Sequence, residues 1–164
     1  MGIMRSSKLQ RRLKVVENRS KLKLAFTELK GSKYIDCLWG SGTGSILKLV
    51  FLMESGFKSE IILYSSWRLK TERYGIISWR GIDVQSHLLE QAFKSLDNQH
   101  IEDVLYDEQT NDFQICFENR TQLAVFCDIS NDDESEENYT LFGSKEILYV
   151  DFAGVVQTEE YEQH

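Results

Sequence analysis

Apolar residues recur at every second position in short stretches through most of this chain, which is the pattern of half-buried β-strands. One such stretch is Leu47-Lys-Leu-Val-Phe51, and another is Phe113-Gln-Ile-Cys-Phe117. Short polar turns separate neighbouring stretches, whereas parallel strands need connections of a dozen or more residues. The pattern therefore predicts antiparallel sheet.

The strand pattern occurs twice along the chain. An F-x-x-L start, a polar turn and an alternating strand run from Phe26 to Leu38 and again from Phe93 to Val104. The later segments correspond at nearly constant offset: 47–51 with 113–117, 61–63 with 123–125, 67–69 with 139–141, and 76–79 with 147–150. We predict two diverged β-meander repeats, 26–83 and 93–152, related by a pseudo-two-fold axis.

Two segments have helical spacing instead. Residues 84–96 place apolar side chains at helical intervals, with Asp83 or Ser86 positioned to cap the start. The basic N-terminal segment, 1–25, also favours a helix. Its apolar residues fall on one predicted face: Leu9, Leu13, Val16 and Leu24. Residues 21–26 alternate as a strand would, so the end of this helix stays open.

Together these elements predict an α+β fold that is mainly antiparallel β, with two repeats joined by one helix and preceded by an N-terminal helix. At 164 residues the chain can bury a core without disulfides or metal. We expect residues 26–152 to form a single globular domain and residues 153–164 an acidic C-terminal tail.

Charge is divided unevenly along the chain. Residues 1–33 carry ten Lys or Arg and two Glu, a net charge of +8, whereas the remainder carries nine basic and 24 acidic residues, a net charge of −15. Nucleic-acid readers concentrate positive charge on the folded domain. Because this body has the opposite sign, it repels phosphate and attracts a basic partner, so we expect no nucleic-acid partner.

The densest acidic cluster follows the second predicted β-hairpin, and its members are Asp128, Asp132, Asp133, Glu134, Glu136 and Glu137. It is either a solvated loop or a surface that faces a basic partner. We take Asp132, Asp133, Glu134, Glu136 and Glu137 as candidate partner-binding residues.

Tryptophan and arginine stand side by side at two repeat positions, Trp67-Arg68 and Trp79-Arg80. The tryptophans correspond to Tyr139 and Val150 in the other copy, which favours packing in the core or on a sheet face. The alternative is an exposed anchor, because Trp and Arg dominate binding hot spots. Trp67, Arg68, Trp79 and Arg80 are therefore the candidates for the centre of an interface.

No recognisable catalytic, metal or cofactor motif is present. The Gly-rich stretch 40–45 lacks the Lys of a phosphate loop and the third Gly of a dinucleotide loop, and a strand pattern follows it. The three histidines are scattered, without ligands at metal-binding spacing. Cys37, Cys116 and Cys127 lie among apolar residues and are expected to be buried reduced thiols, one reactive thiol being the alternative. We expect no enzymatic activity, no metal and no cofactor.

Two stretches carry a resemblance: Leu29 to Phe51, with its L-x-G-S-K-Y-I run, Gly-rich turn and L-x-L-V-F strand, and Ser66-Trp-Arg-Leu69. They resemble small β-rich bacterial proteins encoded beside toxins, many of which are immunity proteins of contact-dependent inhibition and other polymorphic toxin systems. The resemblance implies a non-catalytic cytoplasmic protein that binds a cognate toxin C-terminal domain and blocks its active site. It transfers no functional residue to this chain.

Toxin neutralisation also fits the acidic body, because a toxin that cleaves nucleic acid needs a positive cleft. Two alternatives stay open. One is a small-ligand or regulatory binding domain, in which the two meanders enclose a pocket closed by residues 40–45. The other is an adaptor whose basic arm touches RNA or anionic lipid. The apolar runs are too short to span a bilayer, so no membrane insertion is expected.

Overall fold

The computed structural model describes residues 3–39, 46–79, 86–128 and 136–162. In these ranges the elements are, in chain order, α1 (Ile3–Glu28), β1 (Lys33–Leu38), β2 (Leu47–Leu52), β3 (Lys58–Leu63), β4 (Ser66–Thr71), β5 (Gly75–Ser78), α2 (Ser86–Lys94), β6 (Ile101–Tyr106), β7 (Phe113–Phe117), β8 (Gln122–Phe126), β9 (Glu137–Phe142), β10 (Glu146–Asp151) and β11 (Val156–Glu160). Two helices and mostly antiparallel sheet confirm the predicted fold class.

The strands form two sheets that exchange strands between the repeats. The six-stranded sheet has the order β1-β2-β3-β9-β10-β11, and the five-stranded sheet has the order β5-β4-β8-β7-β6. Each repeat therefore places its first three strands in one sheet and its next two in the other. The sequence did not show that each repeat is divided between the sheets: β3 pairs with β9 and β4 with β8 rather than with each other.

Strand register confirms the correspondence between the repeats. Leu49 pairs with Ile61 in the first repeat, and the equivalent Ile115 pairs with Leu123 in the second. The exchanged strands agree as well: Trp67 pairs with Val125, and Tyr139 pairs with Leu63. β1 and β6 also carry register shifts at equivalent places, between Tyr34 and Asp36 and between Ile101 and Asp103. This symmetry of pairing is what a pseudo-two-fold relation produces.

Both helices end in the same way. Gly31 and Asn98 follow α1 and α2 at equivalent positions and have positive φ angles of 83° and 65°. Helices commonly end on a left-handed residue, for which Gly is preferred and Asn is the usual second choice. The polar turn seen in both copies of the sequence is thus a helix stop.

Each helix packs on the opposite repeat. In α1, the Phe26 ring lies 5.3 Å from Tyr106 and 6.1 Å from Tyr139, both of the second repeat. In α2, the Phe93 ring lies 5.4 Å from Trp39 and 6.2 Å from Trp67, both of the first. Because these clusters contain equivalent residues, the two repeats interlock through their helices as well as through their strands.

The space between the sheets is filled with core side chains. The largest of these are less than 2% exposed: Trp67, Tyr139, Phe26, Phe51, Phe93 and Phe117. Residues 40–45, expected to close the pocket of a small-ligand domain, lie outside the described residues.

Residues 21–26, for which the sequence allowed either helix or strand, are helical. Leu22, Phe26 and Leu29, spaced by four and three residues, are each at most 1% exposed. A strand would have buried Leu24 with Leu22 and Phe26, but Leu24 is 52% exposed. α1 therefore runs to Glu28, beyond the expected boundary at residue 25.

The apolar face predicted for the N-terminal helix is not the face that packs on the body. Leu9, Leu13 and Val16 are 60%, 61% and 64% exposed, as is much of Leu24. α1 has two apolar faces, and the one containing Phe26 carries the larger side chains. Its aromatic packing decides the orientation of the helix.

The segment expected as an acidic tail contains a strand. β11 pairs with β10 in continuous register from Glu160 to Val156, and Val156 is fully buried. The buried Asn18 of α1 donates a hydrogen bond of 2.9 Å to the Val156 carbonyl. The chain therefore continues the fold to at least Glu160.

Candidate functional site

The two repeats change sheets at one place in the molecule. Residues 64 and 65 connect β3 to β4, and residues 127 to 136 connect β8 to β9. The amides of Tyr64 and Ser65 both donate to the Asn138 carbonyl, at 2.9 and 3.0 Å. The first crossing is therefore hydrogen-bonded to the start of β9, directly after the second crossing.

The fully buried side chain of Asn138 holds the second crossing. Its Nδ2 donates to the carbonyls of Asp128 at 2.9 Å and Asp151 at 3.1 Å, and its Oδ1 accepts from the Asp128 amide at 2.8 Å. Buried amides need such partners, because an unsatisfied polar group in the interior costs about 1–3 kcal/mol. Asn138 therefore anchors one end of the connection that carries the acidic cluster.

An acidic cleft lies beside this anchor. Tyr64, Glu136, Glu137 and Phe152 line a cleft of about 320 Å³. The Phe152 amide donates to the Glu136 carbonyl at 2.9 Å, and Thr140 Oγ1 donates to Glu137 Oε2 at 2.6 Å. Burial raises the pKa of Tyr64, and the charge of Glu137 raises it further. The cleft thus combines aromatic walls with two carboxylates.

A second cleft has the opposite charge. It has a volume of about 480 Å³ and is lined by Ser66, Trp67, Arg68, Ser78, Trp79 and Phe126. The Arg68 guanidinium lies over the Phe126 ring, 5.2 Å from its centroid. None of the ion pairs among the described residues includes Arg68.

The second cleft is open because small residues flank Arg68. Its cross-strand neighbours are Ala124 on β8 and Ser78 on β5. Their short side chains leave space on the outer face of the sheet, and Trp79 and Phe126 form the walls. An arginine held on an aromatic ring is already ordered, so less side-chain entropy is lost when a partner binds.

The two clefts adjoin each other. Tyr64 of the acidic cleft and Ser66 of the arginine cleft are two residues apart, so their Cα atoms are at most about 7 Å apart. Tyr64 and Phe126 occupy equivalent positions, each directly after the last inward-facing residue of a third strand. We call the two clefts together, with Asn138 between the crossings, the crossover surface.

The crossover surface brings together predicted residues that are far apart in sequence. Glu136, Glu137, Arg68 and Trp79 all line it. Trp67 is a core residue and not the exposed interface anchor considered from the sequence. Its side chain is 0% exposed and faces inward to Phe93. Arg80, Asp132, Asp133 and Glu134 lie outside the described residues.

Sequence reasoning missed the aromatic residues Tyr64, Phe126 and Phe152. A signal existed for the first two, because an aromatic residue directly follows the last inward-facing residue of the third strand in both repeats. Alternation alone places such a residue on the outer face of a sheet and does not indicate what its side chain contacts there. Only the crossing of the chain between sheets gives it a cleft to line.

The described residues contain no group of three or more His, Cys, Asp or Glu side chains arranged to hold a metal ion. Within the same ranges, no helix is both long and apolar enough to cross a membrane. Comparison of the chain with protein-family models, with curated proteins and with solved structures finds no match.

The three cysteines are free and half-buried. Burial raises the pKa of the Cys37 thiol from 9.0 to about 12, although its hydrogen bond with Tyr34 acts in the other direction. Burial also raises the pKa of the Cys127 thiol above its usual range, and Asp112 and Asp128 add to the effect. Both thiols are therefore poor nucleophiles in the folded state.

We expect Cys37 and Cys127 to resist alkylation at pH 8. For Cys37, a pKa raised by about three units lowers the thiolate fraction roughly 1000-fold. Iodoacetamide labelling followed by peptide mass spectrometry measures this for each cysteine, with the denatured protein as the control. Equal labelling of Cys37 in the native and denatured protein would contradict the expectation.

Proposed function

We propose that this protein binds a basic toxin domain in the cytoplasm through the crossover surface and neutralises it by covering its active site, without catalysing a reaction. One observation carries the proposal: an acidic cleft and an arginine–aromatic cleft adjoin at a hydrogen-bonded junction. The resemblance to immunity proteins of polymorphic toxin systems implies the same role.

The acidic cleft supports the first step of binding. A toxin that acts on RNA or DNA needs positive charge for the phosphate backbone. Glu136 and Glu137 present carboxylates beside Tyr64 and Phe152, on a body of net charge −15. Complementary charge of this kind raises the association rate and orients the partner.

The arginine cleft is expected to contribute to the affinity for the toxin domain. Trp and Arg are the residue types most often found at energetic hot spots, usually in the centre of an interface where water is excluded. Trp79 is half-buried and Arg68 is ordered by its contact with Phe126. A partner group that enters this cleft meets a cation and two aromatic walls on rigid strands.

Reversing two charges beside the acidic cleft tests the proposal. We expect Asp128→Lys with Glu136→Lys to slow association about tenfold at low salt and to make the rate less dependent on salt, because exposed charges act mainly on encounter. Dissociation and folding stability should change little. Binding kinetics with the toxin domain encoded by the adjacent gene, at two salt concentrations, provide the measurement.

The matched control changes the same net charge elsewhere. Glu159→Lys with Glu160→Lys alters two exposed residues of β11, two strands away from β9 in the same sheet. We expect this variant to associate nearly as fast as the native protein. If both double variants slow association equally, net charge rather than the crossover surface steers binding. Failure of the native protein to bind the toxin domain overturns the proposal as a whole.

A further inference from the structure

Helix α1 carries a second apolar face that nothing in the described structure covers. Leu9, Leu13 and Val16 are 60%, 61% and 64% exposed. They lie on the side of α1 opposite the buried residues Leu22 and Phe26, which pack on the sheets. An aliphatic row on a solvent-facing helix usually marks a contact surface.

The spacing of this row is that of a coiled coil. Leu9, Leu13, Val16 and Ser20 are separated by four, three and four residues, so they occupy successive d, a, d and a positions of a heptad. At about 100° per residue they fall within an arc of roughly 40–60°. Helices that lie on lipid have a broader apolar face. The narrow seam therefore favours another helix as the partner.

The charges beside the seam fit a second copy in parallel orientation. Arg12 occupies a g position and Glu17 the following e position, and these two positions meet across a parallel dimer. Arg12 of each copy therefore faces Glu17 of the other. In an antiparallel pair, g faces g and e faces e, which would place like charges together.

Two of the other basic residues of α1 pair with acidic residues of the same chain. Lys21 lies 3.3 Å from Glu146 and 4.0 Å from Glu17, and Lys23 pairs with Glu108 at 2.6 Å. These ion pairs reduce the repulsion between two copies of an otherwise basic helix. The folded body lies on the far side of α1, so two bodies can project outward without blocking the seam.

We propose that this protein forms a parallel homodimer through the seam of Leu9, Leu13 and Val16 on α1, with Arg12 of each copy paired to Glu17 of the other. The interface is isologous, as in most homodimers. Because the seam has only about two heptads, the dimer is weak and depends on concentration.

Sedimentation equilibrium of the full chain over a range of concentrations tests the proposal. We expect a reversible monomer–dimer equilibrium, and Leu13→Glu should weaken it by about tenfold or more, because a buried seam position becomes charged. Ile76→Glu is the control: Ile76 is 67% exposed on edge strand β5, away from α1, and should leave the dimer unchanged. Circular dichroism checks that both variants keep their fold.

A charge swap tests the pairing itself. Arg12→Glu and Glu17→Arg should each weaken the dimer roughly fivefold, since each creates two like-charge contacts. The double variant should recover most of the native affinity. A native protein that stays monomeric at every concentration overturns the proposal, as does a double variant no better than the single ones. Binding of the monomer to vesicles of anionic lipid through the same residues would assign the seam to lipid instead.

Discussion

Trp67→Ala is expected to lower the free energy of unfolding by about 3–5 kcal/mol, the usual cost of removing a buried aromatic side chain. Trp67 is fully buried on β4 and its ring contacts Phe93 of α2 edge-on. The substitution therefore removes core volume and also loosens the attachment of α2 to the first repeat. Chemical denaturation followed by circular dichroism measures the loss.

Trp79→Ala provides the comparison for Trp67. Trp79 is half-buried at the wall of the arginine cleft, so its removal should cost less than half as much stability. If the proposed function holds, the same change should weaken toxin binding by about 30-fold, as for a typical hot spot. Equal losses of stability in the two variants would contradict the assignment of Trp67 to the core and Trp79 to the surface.

Asn138→Ala is expected to destabilise the protein by about 2–4 kcal/mol, because it removes the three hydrogen bonds of a fully buried side chain and leaves their backbone partners unpaired. The side chain makes three hydrogen bonds, to both backbone groups of Asp128 and to the Asp151 carbonyl. Asn138→Asp keeps the acceptor for the Asp128 amide but loses both donors, so it should also be strongly destabilising. Thermal and denaturant unfolding give the two values.

Asn119→Ala is the matched control for Asn138. Asn119 is half-buried at the β7–β8 turn, where its side chain donates to the Ser95 carbonyl and accepts from the Thr121 amide. Water can replace these bonds when the side chain is removed, so we expect a loss of about 1 kcal/mol or less. A loss as large as that of Asn138→Ala would mean that burial is not the reason Asn138 matters.

The exchange of strands between the sheets explains why the residues of the crossover surface are held in fixed positions. Each sheet takes strands from both repeats, so neither repeat can complete a sheet alone. Asn138 binds described residues of both crossings: its backbone carbonyl accepts from Tyr64 and Ser65, and its side chain donates to Asp128. Residues on either side of the crossings, Glu137 and Arg68 among them, are held at fixed positions as a consequence.

The two clefts are expected to affect different steps of binding, because their residues differ in exposure to water. Glu136 is exposed, so its charge acts at long range and is screened by salt. If the proposed function holds, a bound partner excludes water from the cleft that Arg68 and Trp79 line, where contacts contribute more to affinity. Charge reversal should therefore change the association rate, and truncation in the arginine cleft should change the dissociation rate.

The sequence by itself determined the fold class, the positions of most strands and the equivalence of the repeats. Alternation reports which residues of a strand share a face, and Leu49 and Ile115 occupy equivalent registers as expected. Turn length reports that neighbouring strands are antiparallel. These are local properties, so they can be read from a single chain.

Only the tertiary structure decided which strands pair across the repeats, which face of α1 is buried and which residues share a cleft. Alternation does not indicate which strand pairs with which. Two meanders that each form their own sheet and two sheets that exchange strands therefore have the same sequence pattern. Leu13 and Phe26 lie on two apolar faces of one helix, and aromatic packing against Tyr106 and Phe113 selects the second. Arg68 and Glu137 are 69 positions apart in sequence. They line neighbouring clefts because the chain changes sheets on either side of Asn138, which no local pattern of the sequence specifies.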